Sequence, residues 1–95
     1  MSAPRATTVV DDDRVRVTTL TFDSVGDATG WHVHEYDYVI VPVTGGTFEV
    51  TAPDGGKHEL VQQAGSPYLG QAGTEHDVAN VGVASAVFVE IELKR

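Results

Sequence analysis

Cysteine is absent from the 95 residues. That excludes disulfide scaffolds, thiol nucleophiles, iron–sulfur clusters and thiolate zinc sites together. Cations are scarce as well: 6 Lys and Arg stand against 14 Asp and Glu, a net charge of −8 with His neutral. So acidic a balance opposes binding to a phosphate backbone, whose attraction comes from clustered Lys and Arg, and the same imbalance opposes docking on anionic lipid. Long apolar runs are missing too. The longest, Val39 to Val43, includes Pro42, whereas a membrane-spanning helix needs about 20 apolar residues. Residues 1–10 contain no apolar stretch of the kind an export signal carries. The expectation is a cytoplasmic protein whose partners include neither nucleic acid nor membrane.

Helical periodicity is the last absence, since no stretch sustains apolar residues at i, i+3 and i+4 with caps. What is present instead is 10 Gly and 4 Pro between short runs rich in Val and Thr, the pattern of short strands joined by turns. The clearest strand is the last, where Val87, Val89, Ile91 and Leu93 alternate with Phe88, Glu90 and Glu92. Period two gives it one buried and one wetter face. An earlier strand is expected over 14–22, and another, bent or bulged, over 32–43. Residues 47–52 and 57–61 read as the arms of a hairpin around Pro53-Asp54-Gly55-Gly56, which supplies a fixed φ and then positive φ.

About seven or eight short strands in one small domain close a core only as a sandwich, jelly roll or small barrel. The fold class is therefore all-β with little or no helix. Residues 1–13, ending in Asp11-Asp12-Asp13, read as a flexible arm or edge segment ahead of a single domain over 14–95. Val39, Val41 and Val43 alternate with Ile40 and Pro42, so both faces of that strand are apolar. One face lines the core. The other must be covered by the arm or by a second subunit, and the expectation is a homodimer.

The chemistry-bearing feature is His32-Val33-His34, with His76 far along the chain. Positions i and i+2 on a strand share a face, so two imidazoles stand side by side, and a third from a distant segment could complete a three-nitrogen face on a metal ion. On these residues alone, two half-exposed histidines on a barrel rim fit equally well.

The surrounding spacing resembles the cupin superfamily. Its first motif runs from glycine through His-x-His to glutamate and a second glycine, and the chain offers Gly26, His32, His34, Tyr38 and Gly45 at matching intervals. Its second motif is matched by Gly65, Gln71, Gly73, His76 and Asn80, with Gln71 in place of proline. The resemblance implies a double-stranded β-helix, or jelly-roll barrel, with a divalent metal at its mouth on His32, His34 and His76. It also implies that Tyr38 stands where the family has its glutamate ligand.

If the strand is regular, Tyr38 shares the histidine face and Glu35 and Asp37 point away, unless a bulge brings one of them back as a fourth ligand. Three neutral imidazoles leave a bound ion its full charge, which favours anionic ligands. Tyr38 could then serve as a weak ligand, a hydrogen-bond donor or a proton donor, or simply fill space. Iron, manganese, nickel, zinc and copper all accept such a site.

Other candidates are weaker. His58 reads as a surface histidine, Trp31 as packing outside the barrel, and Glu75 and Asp77 as carboxylates that could orient His76 or sit on the rim. The stretch from His34 to Pro42 is similar to one in small cupins labelled with β-alanine degradation. These features point to a metal-dependent dioxygenase, isomerase or lyase acting on a small anionic molecule, or alternatively to a non-catalytic small-molecule or metal-binding cupin module.

Overall fold

The computed structural model describes residues 2–95, and among them are nine strands and no helix. In chain order the strands are β1 (Arg5–Asp11), β2 (Val15–Phe22), β3 (His32–Val33), β4 (Asp37–Pro42), β5 (Gly46–Thr51), β6 (Lys57–Gln62), β7 (Tyr68–Gly70), β8 (Glu75–Asn80) and β9 (Ala86–Leu93). They form two antiparallel sheets, one ordered β1-β2-β9-β4-β7 and the other β3-β8-β5-β6. The chain crosses repeatedly between them, and the two faces close as a double-stranded β-helix. The expected hairpin is β5–β6, closed by Ala52 N–H donating to the Gly56 carbonyl at 2.8 Å.

Register decides what lies inside, because side chains alternate faces along every strand. In the larger sheet the interior rows are Thr18–Glu90–Ile40–Tyr68 and Leu20–Phe88–Pro42. In the smaller one they are Val78–Val50–His58 and Asn80–Phe48–Leu60. The sheets are locked at one end by three phenylalanines. Phe48 meets Phe22 edge-on at 5.2 Å between ring centroids and Phe88 at 5.7 Å, and these contacts join strands from both sheets. Phe22 and Phe48 are fully buried.

The interior face of β9 is therefore the one carrying Ala86, Phe88, Glu90 and Glu92. Its valines and isoleucine point outward, where Ile91 lies between Val17 and Val39, and Val89 between Thr19 and Val41. Packing Phe88 into the aromatic cluster fixes this choice, since a one-residue slip would reverse every side chain. Within the 1–13 segment, whose first residue lies outside the described ones, residues 5–11 form β1 and lengthen the sheet at the β2 edge. This segment does not fold over the outer valine face.

The stretch expected as one bent strand over 32–43 is instead two, β3 and β4, in different sheets. Residues 34–36 make the crossing. His34 is held there by two backbone hydrogen bonds, its N–H to the Thr74 carbonyl at 2.9 Å and its carbonyl from Gly73 N–H at 2.8 Å.

Replacing Phe48 by alanine should cost roughly 3–5 kcal/mol, since it opens a cavity where the sheets meet. A Val83→Ala change, at a fully exposed loop position, should stay within about 0.5 kcal/mol. Urea unfolding followed by circular dichroism checks both.

Candidate metal centre

His32 and His76 are directly opposed across the β3–β8 pair, and His34 reaches the same point from the crossing. Their Nε2 atoms converge: His34 Nε2 lies 3.2 Å from that of His32 and 3.0 Å from that of His76. With metal–nitrogen bonds of about 2.1 Å, such separations subtend roughly 90–100°, the angle between neighbouring positions of an octahedron. The donor set would fit a divalent transition ion held by His32, His34 and His76. Among the described residues, these three histidines are the group of potential ligands brought together.

The ring nitrogens facing away from this point are also placed. His32 Nδ1 lies 2.9 Å from the Gly30 carbonyl, and a carbonyl can only accept, so Nδ1 carries the proton and Nε2 is left with its lone pair. His34 Nδ1 lies 3.7 Å from a Glu90 carboxylate oxygen. His34 and His76 are both held to a pKa of about 4, chiefly because burial penalises the imidazolium and secondarily because of neighbouring imidazoles. At neutral pH both are uncharged and available as ligands.

Glu90 behaves in the opposite sense. Burial, and then the hydrogen bond and charge of Glu92, push its carboxyl up to about 7. Arg16 pairs with Glu92 and relieves this only in part. Sequence reasoning missed Glu90 as a neighbour of the site. The available signal was its parity with Phe88, which would have put it inside.

Tyr38 faces inward, is 5% exposed, and stacks on His34 with ring centroids 3.8 Å apart and planes 18° from parallel. The phenol is not part of the converging group. Its pKa is raised by burial, with the Thr74 side chain acting the other way. The ring lies directly over Gly70, its partner on β7, where a Cβ would overlap the phenol carbons. Glu35 and Asp37 are both exposed. Asp37 accepts a hydrogen bond from Ala72 N–H at 2.8 Å, so neither supplies a fourth ligand here.

The remaining sequence candidates fall outside the first ring of contacts. Asp77 accepts from Gly30 N–H at 3.2 Å, bracing the loop that leads into β3, and Glu75 is exposed. Trp31 points out, 52% exposed. His58 is exposed but lies on the cavity rim. Gln71 is exposed too, and the turn uses only its carbonyl, which accepts from Thr74 Oγ1 at 2.7 Å. Proline would serve that role as well, and nothing in the structure explains the glutamine.

Beyond the three imidazoles lies a cavity of about 290 Å³. Its walls are mostly apolar, with Leu20, Ile40, Leu60 and Phe88 among them, and Tyr38, Gln62 and Tyr68 add polar groups. It can hold a small organic molecule against the imidazole face.

No family model matches the chain. It is 43% identical over 88 residues to the β-alanine degradation protein BauB of Pseudomonas aeruginosa, covering 93% of this chain and 90% of the relative. Among solved structures, a cupin domain from Bordetella pertussis Tohama I is 38% identical with a TM-score of 0.92, over 99% of this chain and 96% of that one. An RmlC-like cupin family protein from Methanocaldococcus jannaschii aligns with a TM-score of 0.78 at 12% identity, over 96% and 80% of the two chains. That likeness speaks for the fold alone.

Two predictions follow from the geometry. Between pH 4.5 and 6.5, the ordinary values of Glu and His, the unfolded chain binds two protons at His34 and His76 that the fold refuses. The fold binds one at Glu90 that the unfolded chain refuses. The balance favours the histidines, so the metal-free protein should lose stability as pH falls through this window. Glu90→Gln should steepen the loss, read as melting temperature against pH in the presence of a chelator. Separately, Gly70→Ala should destabilise by about 1–3 kcal/mol through overpacking. Combined with Tyr38→Ala it should cost less than the sum of the two, measured as a double-mutant cycle.

Proposed function

The chain belongs to the cupin superfamily, and on that premise we propose that it is a metal-dependent enzyme of the cytoplasm acting on a small anionic organic molecule. The observation that carries this reading is the convergence of three Nε2 atoms at 3.0 and 3.2 Å at the wall of a cavity. A structural ion would be closed by four protein ligands, whereas a catalytic one keeps open positions. Bound on His32, His34 and His76, an iron, manganese, nickel, zinc or copper ion would act as a Lewis acid toward a substrate oxygen.

The chain's own residues have separable parts in this scheme. Gly30 fixes the tautomer of His32. Tyr38 supports the plane of His34, and its phenol, kept neutral by burial, offers a hydrogen bond to a bound molecule. Leu20, Ile40 and Phe88 exclude water. The curated relative's name speaks of β-alanine degradation, so short carboxylates are the substrates to try first, with dioxygenase, isomerase and lyase chemistry as the reactions to assay.

One observation favours a non-catalytic binding module instead. The nearest titratable carboxylate, Glu90, approaches the Nδ1 side of His34 and not the converging nitrogens. Turnover of any short carboxylate by the metal-loaded protein separates the two readings.

The homodimer belongs to the same proposal. Its support is the outer face of the larger sheet, where Val17, Val39, Val41, Val87, Val89 and Ile91 form a band without charged residues. Such a face can pack on its own copy without bringing like charges together.

Elemental analysis of untagged protein should find about one transition metal per chain, lost in His76→Ala while the fold survives. No metal in either protein after incubation with divalent ions would overturn the enzyme reading. Light scattering at micromolar concentration should give twice the monomer mass, and a charged substitution, Val89→Lys, should return it to one.

A further inference from the structure

All 4 histidines of the chain line one cavity. Three of them converge on the candidate metal centre, and the fourth, His58, belongs to neither motif. Register explains its place. On β6, His58 stands opposite Val50 and Leu60 opposite Phe48, both on the inward face, whereas Lys57, Glu59 and Val61 face out. β6 is an edge strand of the smaller sheet, and His58 lies at its start, so the ring has solvent on one side and the cavity on the other. It is near enough to His76 to be among the groups that, after burial and His32, hold that ring's pKa down.

A proton taken from a bound molecule must leave the cavity again before the next turnover. That asks for a titratable group touching both the cavity and bulk water. Besides the three converging histidines, the titratable residues lining the cavity are Tyr38, His58, Tyr68 and Glu90. Burial raises both phenols above their ordinary value, so neither ionises near neutral pH. Glu90 is turned to the Nδ1 side of His34 and sits beside Glu92. Of the four, His58 alone is exposed, and imidazole is the side chain whose ordinary pKa lies nearest neutrality.

We propose that His58 is the proton-transfer residue of this cavity. One ring nitrogen takes a proton from a carbon of the bound anion that neighbours a carbonyl or carboxyl group, and passes it to bulk water. The C–H bond breaks, an N–H bond forms, and the electron pair left on carbon delocalises onto the neighbouring substrate oxygen. Return of a proton to an adjacent atom, or departure of a leaving group, completes the reaction. This rests on the metal-anchored reading above and narrows it to isomerase and lyase chemistry, which begins with removal of a carbon-bound proton, and away from dioxygenation.

The test uses the zinc-loaded protein in deuterium oxide with pyruvate, 2-oxobutyrate and malonate, whose carbon-bound protons lie next to a carbonyl. Calorimetry reads binding, and proton NMR reads both the replacement of those protons by deuterium and the His58 ring signals. A bound probe should move the His58 signals, and its protons should exchange faster than with the same concentration of free zinc. His58→Gln should slow the exchange by about a hundredfold or more, with metal content and probe affinity held within about twofold. His58→Ala should slow it as well, and free imidazole added to that variant should restore part of the rate, which the loss of a merely structural side chain would not allow.

Binding without exchange of any probe would overturn the role of His58 and leave the metal-anchored reading intact. So would a bound probe that leaves the His58 signals in place, or exchange undiminished in His58→Gln. Failure of all the probes to bind would overturn both.

Discussion

The open end of the barrel depends on one meeting of side chains, where His34 Nε2 lies 3.2 Å from that of His32 and 3.0 Å from that of His76. Burial holds His34 and His76 far below their ordinary pKa, so both rings are uncharged at neutral pH and approach without like-charge repulsion. Much of the open end of the barrel is arranged around this meeting point: the Gly30 carbonyl beneath His32, the two backbone bonds that pin His34, and the cross-strand pairing that carries His76.

The two ends of the barrel divide the labour. At the closed end Phe22, Phe48 and Phe88 interlock, and this is where a chain of 95 residues gains the cohesion that a thin core otherwise lacks. Nearer the histidines, β9 and β7 carry Glu90 and Tyr68 inward instead of aliphatic side chains. Buried polar groups add less cohesion than apolar ones, so the aromatic end carries the larger share of the core.

The histidines were legible in the sequence because strand parity and motif spacing act over a few residues, and Tyr38 was legible for the same reason. The hairpin was announced by Pro53 and Gly55. What local pattern could not give was depth. On β9 the valines look like the core and the glutamates like the surface, yet Phe88 decides the register from across the barrel and puts Glu90 inside. The division of 32–43 into two strands was equally hidden, since the bonds from Gly73 and to Thr74 that hold His34 come from a segment some 40 residues away. Gln62 and Tyr68 belong to no motif and meet only once β6 and β7 are placed.

The stacking of Tyr38 over Gly70 makes these two positions a single unit of inheritance. A carboxylate at 38, as the superfamily pattern has it, would leave 70 free to carry many side chains. An aromatic ring at 38 tolerates only glycine beneath it. A lineage that exchanged its acidic ligand for a phenol would therefore have had to lose the side chain at 70 first. Reversion of Gly70 after that exchange would be blocked until the ring had gone, so the order of change is fixed in both directions: 70 empties before 38 gains its ring, and 38 gives up its ring before 70 refills.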